Sequence, residues 1–185
     1  MKTQKVWLVT GASKGLGLSL VKKLLSEDYR VAATSRTLQG LEKALGQHPG
    51  LLSLEVDLLD EESVGNAIDQ TVAKWGGVDV VVNNAGYGQL GTLEELSDKE
   101  ARANFDTNVF GALNIIRKAT PYLRKQQSGI VINIASIGGL TGDFPGWGVY
   151  CATKAALDHY SRVVQAENHG VRIASLAPGV IDTGM

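Results

Sequence analysis

Tyr150 and Lys154 lie four positions apart in the segment GVYCATKAALDHY, residues 148–160, and their side chains could act together in proton transfer. Residues at this spacing share one face of a helix, so the ammonium group would lie beside the phenol. An isolated phenol has a pKa of about 10, too high for an efficient acid or base near neutral pH. A cation within about 4–6 Å favours the phenolate and lowers that pKa. An ordinary Tyr and Lys on a helix surface remain the alternative at this point.

A glycine-rich segment, VTGASKGLGLSL at 9–20, follows the first strand candidate and opens the first helix candidate. Gly11, Gly15 and Gly17 lie where the backbone must turn, approach a ligand and pack against a sheet, which glycine permits because it has no Cβ. The free N–H groups and partial positive charge of the helix N-terminus favour a pyrophosphate. A structural glycine turn is the alternative, but the position after the first strand favours nucleotide binding.

Short apolar segments alternate with longer helical ones along the whole chain. The strand candidates are 5–10, 30–35, 51–56, 78–83, 129–136 and 171–177, and the helix candidates are 15–27, 37–46, 60–75, 97–125 and 150–168. The fourth helix candidate opens with SDKE, in which Ser97 and Glu100 have the spacing of a capping box. Several strands are apolar throughout, which is typical of parallel strands covered on both faces. The alternation predicts an α/β protein with a doubly wound parallel sheet, and residues 1–185 form a single domain. Ligands bind such sheets at the carboxyl ends of the strands.

Composition narrows the classes of function. The chain has 185 residues and a formal net charge of −1, which gives no electrostatic reason to expect a nucleic acid or anionic membrane partner. The lone Cys151 excludes an internal disulfide and is compatible with a reducing compartment. The chain has no run of about 18 apolar residues, and its start does not have the pattern of a secretory signal. We therefore expect a cytoplasmic location, and we expect no metal ion at the site.

Five motifs together resemble the short-chain dehydrogenase/reductase family. They are TGASKGLG at 10–17, NNAG at 83–86, Ser136, YCATK at 150–154 and PGVIDTGM at 178–185. Each motif is weak alone, but their joint order is specific, and the resemblance extends over residues 5–185. It implies a Rossmann-like sheet of strand order 3-2-1-4-5-6. The segment 87–117 is similar to hydroxysteroid and retinol dehydrogenases, or to carbonyl reductases.

The resemblance implies a catalytic role for four side chains. Tyr150 would be the acid/base, and Lys154 would activate it and hold the nicotinamide ribose. Ser136 would hydrogen-bond the substrate oxygen and stabilise developing charge. Asn108 would order a water molecule for proton relay. Structural alternatives exist for each residue in isolation: Ser136 as a cap, Tyr150 as a packing residue and Lys154 as a solvated cation. Their joint occurrence favours catalysis.

The end of the second strand predicts NADP(H) rather than NAD(H). An acidic residue there binds the ribose diol of NAD, whereas an Arg accommodates the 2′-phosphate of NADP. Here the acid's position is Ser35, followed by Arg36, with Lys14 in the glycine loop and no carboxylate; solvated surface charges are the alternative. Asp57 matches an adenine-contacting residue of the family but could also be a helix cap, for which Asp60 is the better candidate. The residues that the resemblance assigns to the cofactor are Gly11, Ser13, Lys14, Gly15, Leu16, Gly17, Ser35, Arg36, Asp57, Leu58, Asn84, Ala85, Gly86, Tyr150, Lys154, Pro178, Gly179, Val180 and Thr183.

The sequence departs from the family at its end. Members usually continue into a helical lid and a seventh strand, whereas this sequence stops at Met185. It is either a fragment of a longer protein or a shortened member of doubtful activity. Loss of these elements would leave the sixth strand as a bare edge and open one side of the substrate pocket. The candidate lining residues are Tyr87, Leu90, Leu140, Phe144 and Trp147.

The leading hypothesis is an NADP(H)-dependent oxidoreductase that interconverts an apolar or aromatic ketone or aldehyde and its alcohol. Epimerase or dehydratase chemistry on a nucleotide sugar would use a similar set of residues, although members with that role are much longer. A cofactor-binding sensor or partner subunit without turnover is the non-enzyme alternative, and an inactive shortened fragment is another. By resemblance we expect a homodimer that pairs through helices 97–125 and 150–168.

Overall fold

The computed structural model describes residues 4–181, which form a six-stranded parallel sheet with helices on both faces. The strands are β1 (Val6–Val9), β2 (Arg30–Ser35), β3 (Leu51–Glu55), β4 (Val80–Asn83), β5 (Ile130–Ile134) and β6 (Arg172–Leu176). Their spatial order, β3-β2-β1-β4-β5-β6, confirms the predicted Rossmann-like topology. The order reverses between β1 and β4, so the carboxyl ends of these two strands border the crevice where such sheets bind ligands.

Within residues 4–181, six α-helices lie in the connections between strands. They are α1 (Gly15–Ser26), α2 (Leu38–Leu45), α3 (Glu61–Trp75), α4 (Asp98–Phe105), α5 (Gly111–Gln126) and α6 (Gly148–Glu167). The predicted cap residues are confirmed: Asp60 accepts a hydrogen bond from Glu62 N at 2.9 Å, and Ser97 and Glu100 form a capping box at the start of α4. Between β5 and α6, residues Ile137–Gly139 form a single 3₁₀ turn.

The single helix predicted over 97–125 is wrong in one respect. Between α4 and α5 the chain forms a π-helical segment, Asp106–Phe110, with Asn108 at its centre. A π-turn accommodates an additional residue per turn, and such segments occur frequently at functional sites. The hydrophobic pattern did not indicate the interruption because the helix continues on both sides of it.

The core consists of two apolar layers, one on each face of the sheet. On one face Leu8 and Val131 pack among buried residues that include Ile68 of α3 and Ile115 of α5. On the other face β1 and β2 pack against α1 and α2, in a cluster that includes Leu41. The strands are buried on both faces, as their apolar sequences predicted. At one end of the sheet β6 is an edge strand in the described part of the chain, and Leu176 is half exposed.

Candidate active site

Tyr150 and Lys154 come together at the start of α6, beside the carboxyl end of β5. The Lys154 ammonium nitrogen lies 5.8 Å from the centre of the Tyr150 ring. Lys154 is buried, and its ammonium donates a hydrogen bond of 2.7 Å to the carbonyl oxygen of Ile134. Burial lowers the pKa of Lys154 from 10.5 to about 8. The ammonium therefore stays largely protonated at neutral pH, and it lies over the Tyr150 ring.

Ser136 follows β5 directly and lies against the same helix. Its hydroxyl oxygen accepts a hydrogen bond of 3.2 Å from Gly138 N, so it caps the 3₁₀ turn. This turn packs on the backbone of α6, because a Cβ atom at Gly139 would lie 2.6 Å from the carbonyl carbon of Lys154. Among residues 4–181 the hydroxyl donates to no acceptor, so its proton is available to a substrate oxygen. The capping role and the catalytic role are therefore compatible.

Asn108 lies fully buried in the π-helical segment, and every polar atom of its side chain is used. Its Oδ1 accepts from Tyr87 N at 3.0 Å, and its Nδ2 donates to Tyr87 O and to Thr153 Oγ1, both at 3.0 Å. A Cβ atom at Gly86 would lie 2.9 Å from Asn108 Oδ1 and 3.4 Å from Lys154 Nζ. A larger residue would displace the Asn108 amide, so Gly86 permits this amide and the Lys154 ammonium to approach the same point of the backbone.

The loops before α4 and α6 carry an apolar rim beside this cluster. Tyr150 contacts Trp147 edge to face, with ring centroids 5.7 Å apart. The two loops that carry the rim are joined by a hydrogen bond of 2.8 Å from Gly91 N to Gly146 O. Of the predicted lining residues, Tyr87, Leu90, Leu140 and Trp147 are exposed and Phe144 is partly buried; Leu93, which was not predicted, is 80% exposed.

The glycine loop is held in place by the segment after β4. Gly11 has a φ of +66°, and a Cβ atom there would lie 2.8 Å from the Cα of Ala85. The Asn84 amide donates to Thr10 O at 2.9 Å and to Gly11 O at 3.2 Å. Gly17 packs so closely that a Cβ atom would lie 2.5 Å from Gly11 O. Asn84 and Ala85 therefore fix the position of the glycine loop relative to the end of β4.

The N-terminus of α1 suits an anion. Its N-cap residue, Lys14, makes no side-chain capping hydrogen bond, and its first turn contains no acidic residue. Backbone N–H groups at a helix start that lack such partners bind phosphate well, and the helix dipole adds to that preference. The residues present therefore fit the pyrophosphate of a dinucleotide. Ser13 and Leu16, which flank the start of α1, are partly buried.

A cavity of about 370 Å³ lies beyond the ends of β2 and β3, where the adenosine end of a dinucleotide is expected. Exposed Arg36 lines it, together with Glu55 and Asp57. The Glu55 carboxylate accepts a hydrogen bond of 3.0 Å from Leu38 N at the start of α2. The sequence pattern at the end of β2 indicated no carboxylate beside Arg36, so Glu55 was not predicted there. Glu55 lies here because β2 pairs with β3 in a register that sets Ser35 opposite Glu55. The predicted neighbouring strands were the signal that could have found it.

The other residues assigned to the adenosine end also have structural partners. Asp57 Oδ1 accepts a hydrogen bond of 2.9 Å from Leu59 N, so the side chain closes a turn before α3. The carbonyl oxygen of Leu58 accepts a hydrogen bond of 2.9 Å from the Asn114 amide. Ser35 lies near Ser13, because a Cβ atom at Gly40 would lie 4.0 and 3.5 Å from their respective side chains. The structure therefore brings the ends of β1, β2 and β3 to one edge.

The segment after β6 reaches the same edge. The carbonyl oxygen of Pro178 accepts a hydrogen bond of 2.9 Å from Ile137 N, which joins this segment to the turn that Ser136 caps. Gly179 and Val180 are exposed, and Thr183 lies outside the described residues.

Cys151 packs against Gly138, and burial raises the pKa of its thiol, so the thiol is not an activated nucleophile.

Within 4–181, the acidic, His and Cys side chains form no group of three or more that could hold a metal ion. None of the helices in this part of the chain is both long enough and apolar enough to cross a membrane.

The fold and the glycine loop define a Rossmann-type α/β protein. The family model for short chain dehydrogenase matches residues 5–185, and the chain belongs to this family. It is 35% identical over 182 residues to a 3-ketodihydrosphingosine reductase of Bacteroides thetaiotaomicron, covering 97% of this chain but only 65% of that protein. It is 33% identical to the 3-oxoacyl-[acyl-carrier-protein] reductase FabG of Staphylococcus aureus, covering 100% of this chain and 78% of that protein. A solved structure of ElxO with NADP bound is 32% identical, with a TM-score of 0.91 over 97% of this chain and 75% of that one.

Proposed function

We propose that this protein is an NADP(H)-dependent oxidoreductase that interconverts an apolar ketone or aldehyde and the corresponding alcohol. The observation that carries the proposal is the buried Lys154 ammonium, 5.8 Å from the Tyr150 ring and hydrogen-bonded to the end of β5. A solvated lysine would not be buried, and a burial that lowers its pKa costs free energy. Such a cost is typical of a functional site rather than of a packing contact.

The chain's own residues supply the proton chemistry. Tyr150 donates its phenolic proton to the carbonyl oxygen as the alcohol forms, and takes a proton from the alcohol in the reverse direction. The Lys154 ammonium stabilises the phenolate that remains. Ser136 keeps its proton and donates a hydrogen bond from its hydroxyl to the same substrate oxygen, which stabilises the charge that develops there. A reduced nicotinamide, when bound, supplies the hydride for the carbonyl carbon.

Cofactor binding is assigned to the edge where the strand ends meet. Gly11, Gly15 and Gly17 with the start of α1 would hold the pyrophosphate. Lys14 and Arg36 would hold the 2′-phosphate of NADP(H), with Ser35 in place of an acid. The NADP in the solved ElxO structure supports this choice. The Glu55 carboxylate would repel the 2′-phosphate of NADPH. We therefore propose that the attraction of Lys14 and Arg36 for this phosphate outweighs that repulsion and sets the preference for NADPH over NADH.

The substrate is proposed to be an apolar ketone. Leu90, Leu93, Leu140 and Trp147 are exposed apolar residues in the loops before α4 and α6, and we assign the contact with the substrate to them. An apolar chain would bury these side chains, at roughly 25 cal/mol for each Å² removed from water. The names of the two curated relatives each include an oxo or keto group, and one includes an acyl carrier, which supports a ketone on an acyl-type chain.

A homodimer and a single cytoplasmic domain over residues 1–185 complete the proposal. The outer faces of the π-helical segment and α6 expose Phe110, Tyr160 and Val163, whose rings and methyl groups would be buried if these helices paired between two copies. We expect neither a nucleic acid nor a membrane partner, because the formal net charge is only −1.

Replacement of Tyr150 by Phe tests the function. NADPH oxidation would be followed by absorbance with a panel of apolar ketones and 3-oxoacyl thioesters. We expect kcat to fall by about 10²- to 10⁴-fold while the Kd for NADPH stays within about twofold. Tyr29→Phe makes the same change just before β2, at the other end of the strands, where Tyr29 packs on Trp7, and should leave kcat unchanged. Near-normal turnover by Tyr150→Phe would contradict the assignment, and NADPH binding without wild-type turnover on any substrate would favour a sensor.

A further inference from the structure

Thr153 links two parts of the site that are distant in sequence. It is fully buried on α6, between Tyr150 and Lys154 in the chain. Its hydroxyl donates a hydrogen bond of 2.7 Å to the carbonyl oxygen of Tyr150 and accepts one of 3.0 Å from Asn108 Nδ2. The hydroxyl hydrogen and one lone pair are thus both used. The Asn108 bond spans 45 residues of sequence and joins α6 to the π-helical segment.

The orientation of the Asn108 amide follows from its partners. The backbone N–H of Tyr87 can only donate, so the atom facing it at 3.0 Å must be the oxygen of Asn108. The NH₂ group then faces Tyr87 O, Asn104 Oδ1 and Thr153 Oγ1. The Thr153 hydroxyl presents a lone pair to this NH₂ group because its proton is directed to the Tyr150 carbonyl. Thr153 therefore favours the amide orientation that holds Tyr87.

We propose that Thr153 is a positioning residue, which holds Asn108 and the first turn of α6 in a fixed relation so that Tyr150 and Lys154 face the loop at Gly86 and Tyr87. It acts through Asn108 and through the backbone of Tyr150, and it needs no contact with substrate. The inference rests on the proposed function for its effect on turnover. The mechanical link through Asn108 can be measured without turnover.

The test compares Thr153→Val with Thr153→Ser. Valine has a similar shape but lacks the hydroxyl, so Asn108 Nδ2 loses one acceptor and the Tyr150 carbonyl loses its side-chain donor. Serine keeps the hydroxyl and should restore the link. Thr71→Val is the matched control: Thr71 is also fully buried in a helix and donates to a backbone carbonyl, Ala67 O, at 2.8 Å, but it lies on α3. It separates a local loss of stability from an effect on the site.

The first measurement is hydrogen exchange of the Tyr87 backbone amide in the protein without added cofactor. That amide donates to Asn108 Oδ1, so its protection reports on the Asn108 side chain. We expect exchange about tenfold faster in Thr153→Val and near wild-type rates in Thr153→Ser and Thr71→Val, when the comparison is made at equal global stability. Unchanged Tyr87 protection in Thr153→Val would overturn the inference, whatever the turnover.

The second measurement is steady-state kinetics with NADPH and an apolar ketone. Misplacement of a catalytic group by about 1 Å costs up to about 100-fold, so we expect kcat of Thr153→Val to fall about 10- to 100-fold with KM nearly unchanged. Thr71→Val should keep the wild-type kcat. Faster Tyr87 exchange with wild-type kcat in Thr153→Val would refute the positioning role. If the wild type turns over no substrate, the proposed function is refuted. Faster Tyr87 exchange in Thr153→Val would still support the link through Asn108 in that case.

Discussion

Lys154→Met should make the free energy of unfolding less dependent on pH. Each pH unit of pKa difference corresponds to about 1.4 kcal/mol. The fall in the pKa of Lys154 from 10.5 to about 8 therefore corresponds to a penalty of about 3 kcal/mol for holding the charged amine in the folded protein. Methionine has a similar length, carries no charge and removes this penalty. It also gives up the hydrogen bond to Ile134 O, which offsets part of the gain.

The sign of the pH effect follows from proton binding. Above pH 8 the unfolded chain keeps the Lys154 proton while the folded protein loses it, so the unfolded state binds more protons and stability rises with pH. The penalty is fully present below the folded pKa and disappears as the pH passes about 10.5. Between pH 7 and pH 9 the wild type should gain about 1 kcal/mol relative to Lys154→Met.

Chemical denaturation of the protein without cofactor, at several pH values, measures this difference. All other titrating groups are shared by the two proteins and cancel in the comparison. Lys22→Met, at an exposed position of α1, should give a curve parallel to the wild type. If the Lys154→Met and wild-type curves are also parallel between pH 7 and pH 9, the amine ionises as in an unfolded chain, and the argument from its burial is wrong.

Two further predictions concern the cofactor edge. Glu55→Gln should tighten NADPH binding by roughly three- to tenfold and leave NADH binding unchanged, because it removes a negative charge from the cavity that Arg36 lines. Calorimetric titration with both cofactors measures the two affinities. An equal gain for NADH would contradict the role of Glu55 in selectivity. Gly17→Ala should destabilise the protein by about 1–3 kcal/mol, because the added methyl group would meet the Gly11 carbonyl and the Asn84 amide. Thermal unfolding and NADPH titration measure the effect, and an unchanged Tm with unchanged affinity would show that the glycine loop is looser than described.

The sheet could be predicted from sequence because its signal is local. The β4 segment is apolar at almost every position, which is the pattern of a strand covered on both faces. The relation of Tyr150 to Lys154 was equally accessible, since spacing along one helix fixes it. The capping residues Asp60 and Ser97 followed from short sequence patterns in the same way.

The residues that were missed depend on contacts between distant segments. Glu55 lies near Arg36 only because β2 and β3 pair in one register, with Ser35 opposite Glu55. Thr153 is one of many small polar residues in helices, and its role requires knowing that Asn108, 45 residues away, lies against it. The residues of the π-helical segment do not form a pattern that distinguishes it from an α-helix. These features are properties of the assembled sheet and helices, so a pattern along one segment cannot reveal them.

The π-helical segment has a consequence for insertions and deletions. A π-turn holds one more residue than an α-turn, so removal of one residue from 106–110 could be absorbed by regular α-helix, with little change to the buried face of α5 around Ile115 and Leu123. The residue then facing Tyr87 would be displaced by roughly 100° about the helix axis. A single-codon deletion here would therefore give a well-folded protein that has lost the Asn108 amide from its site, whereas a deletion in the middle of α5 would disrupt the core.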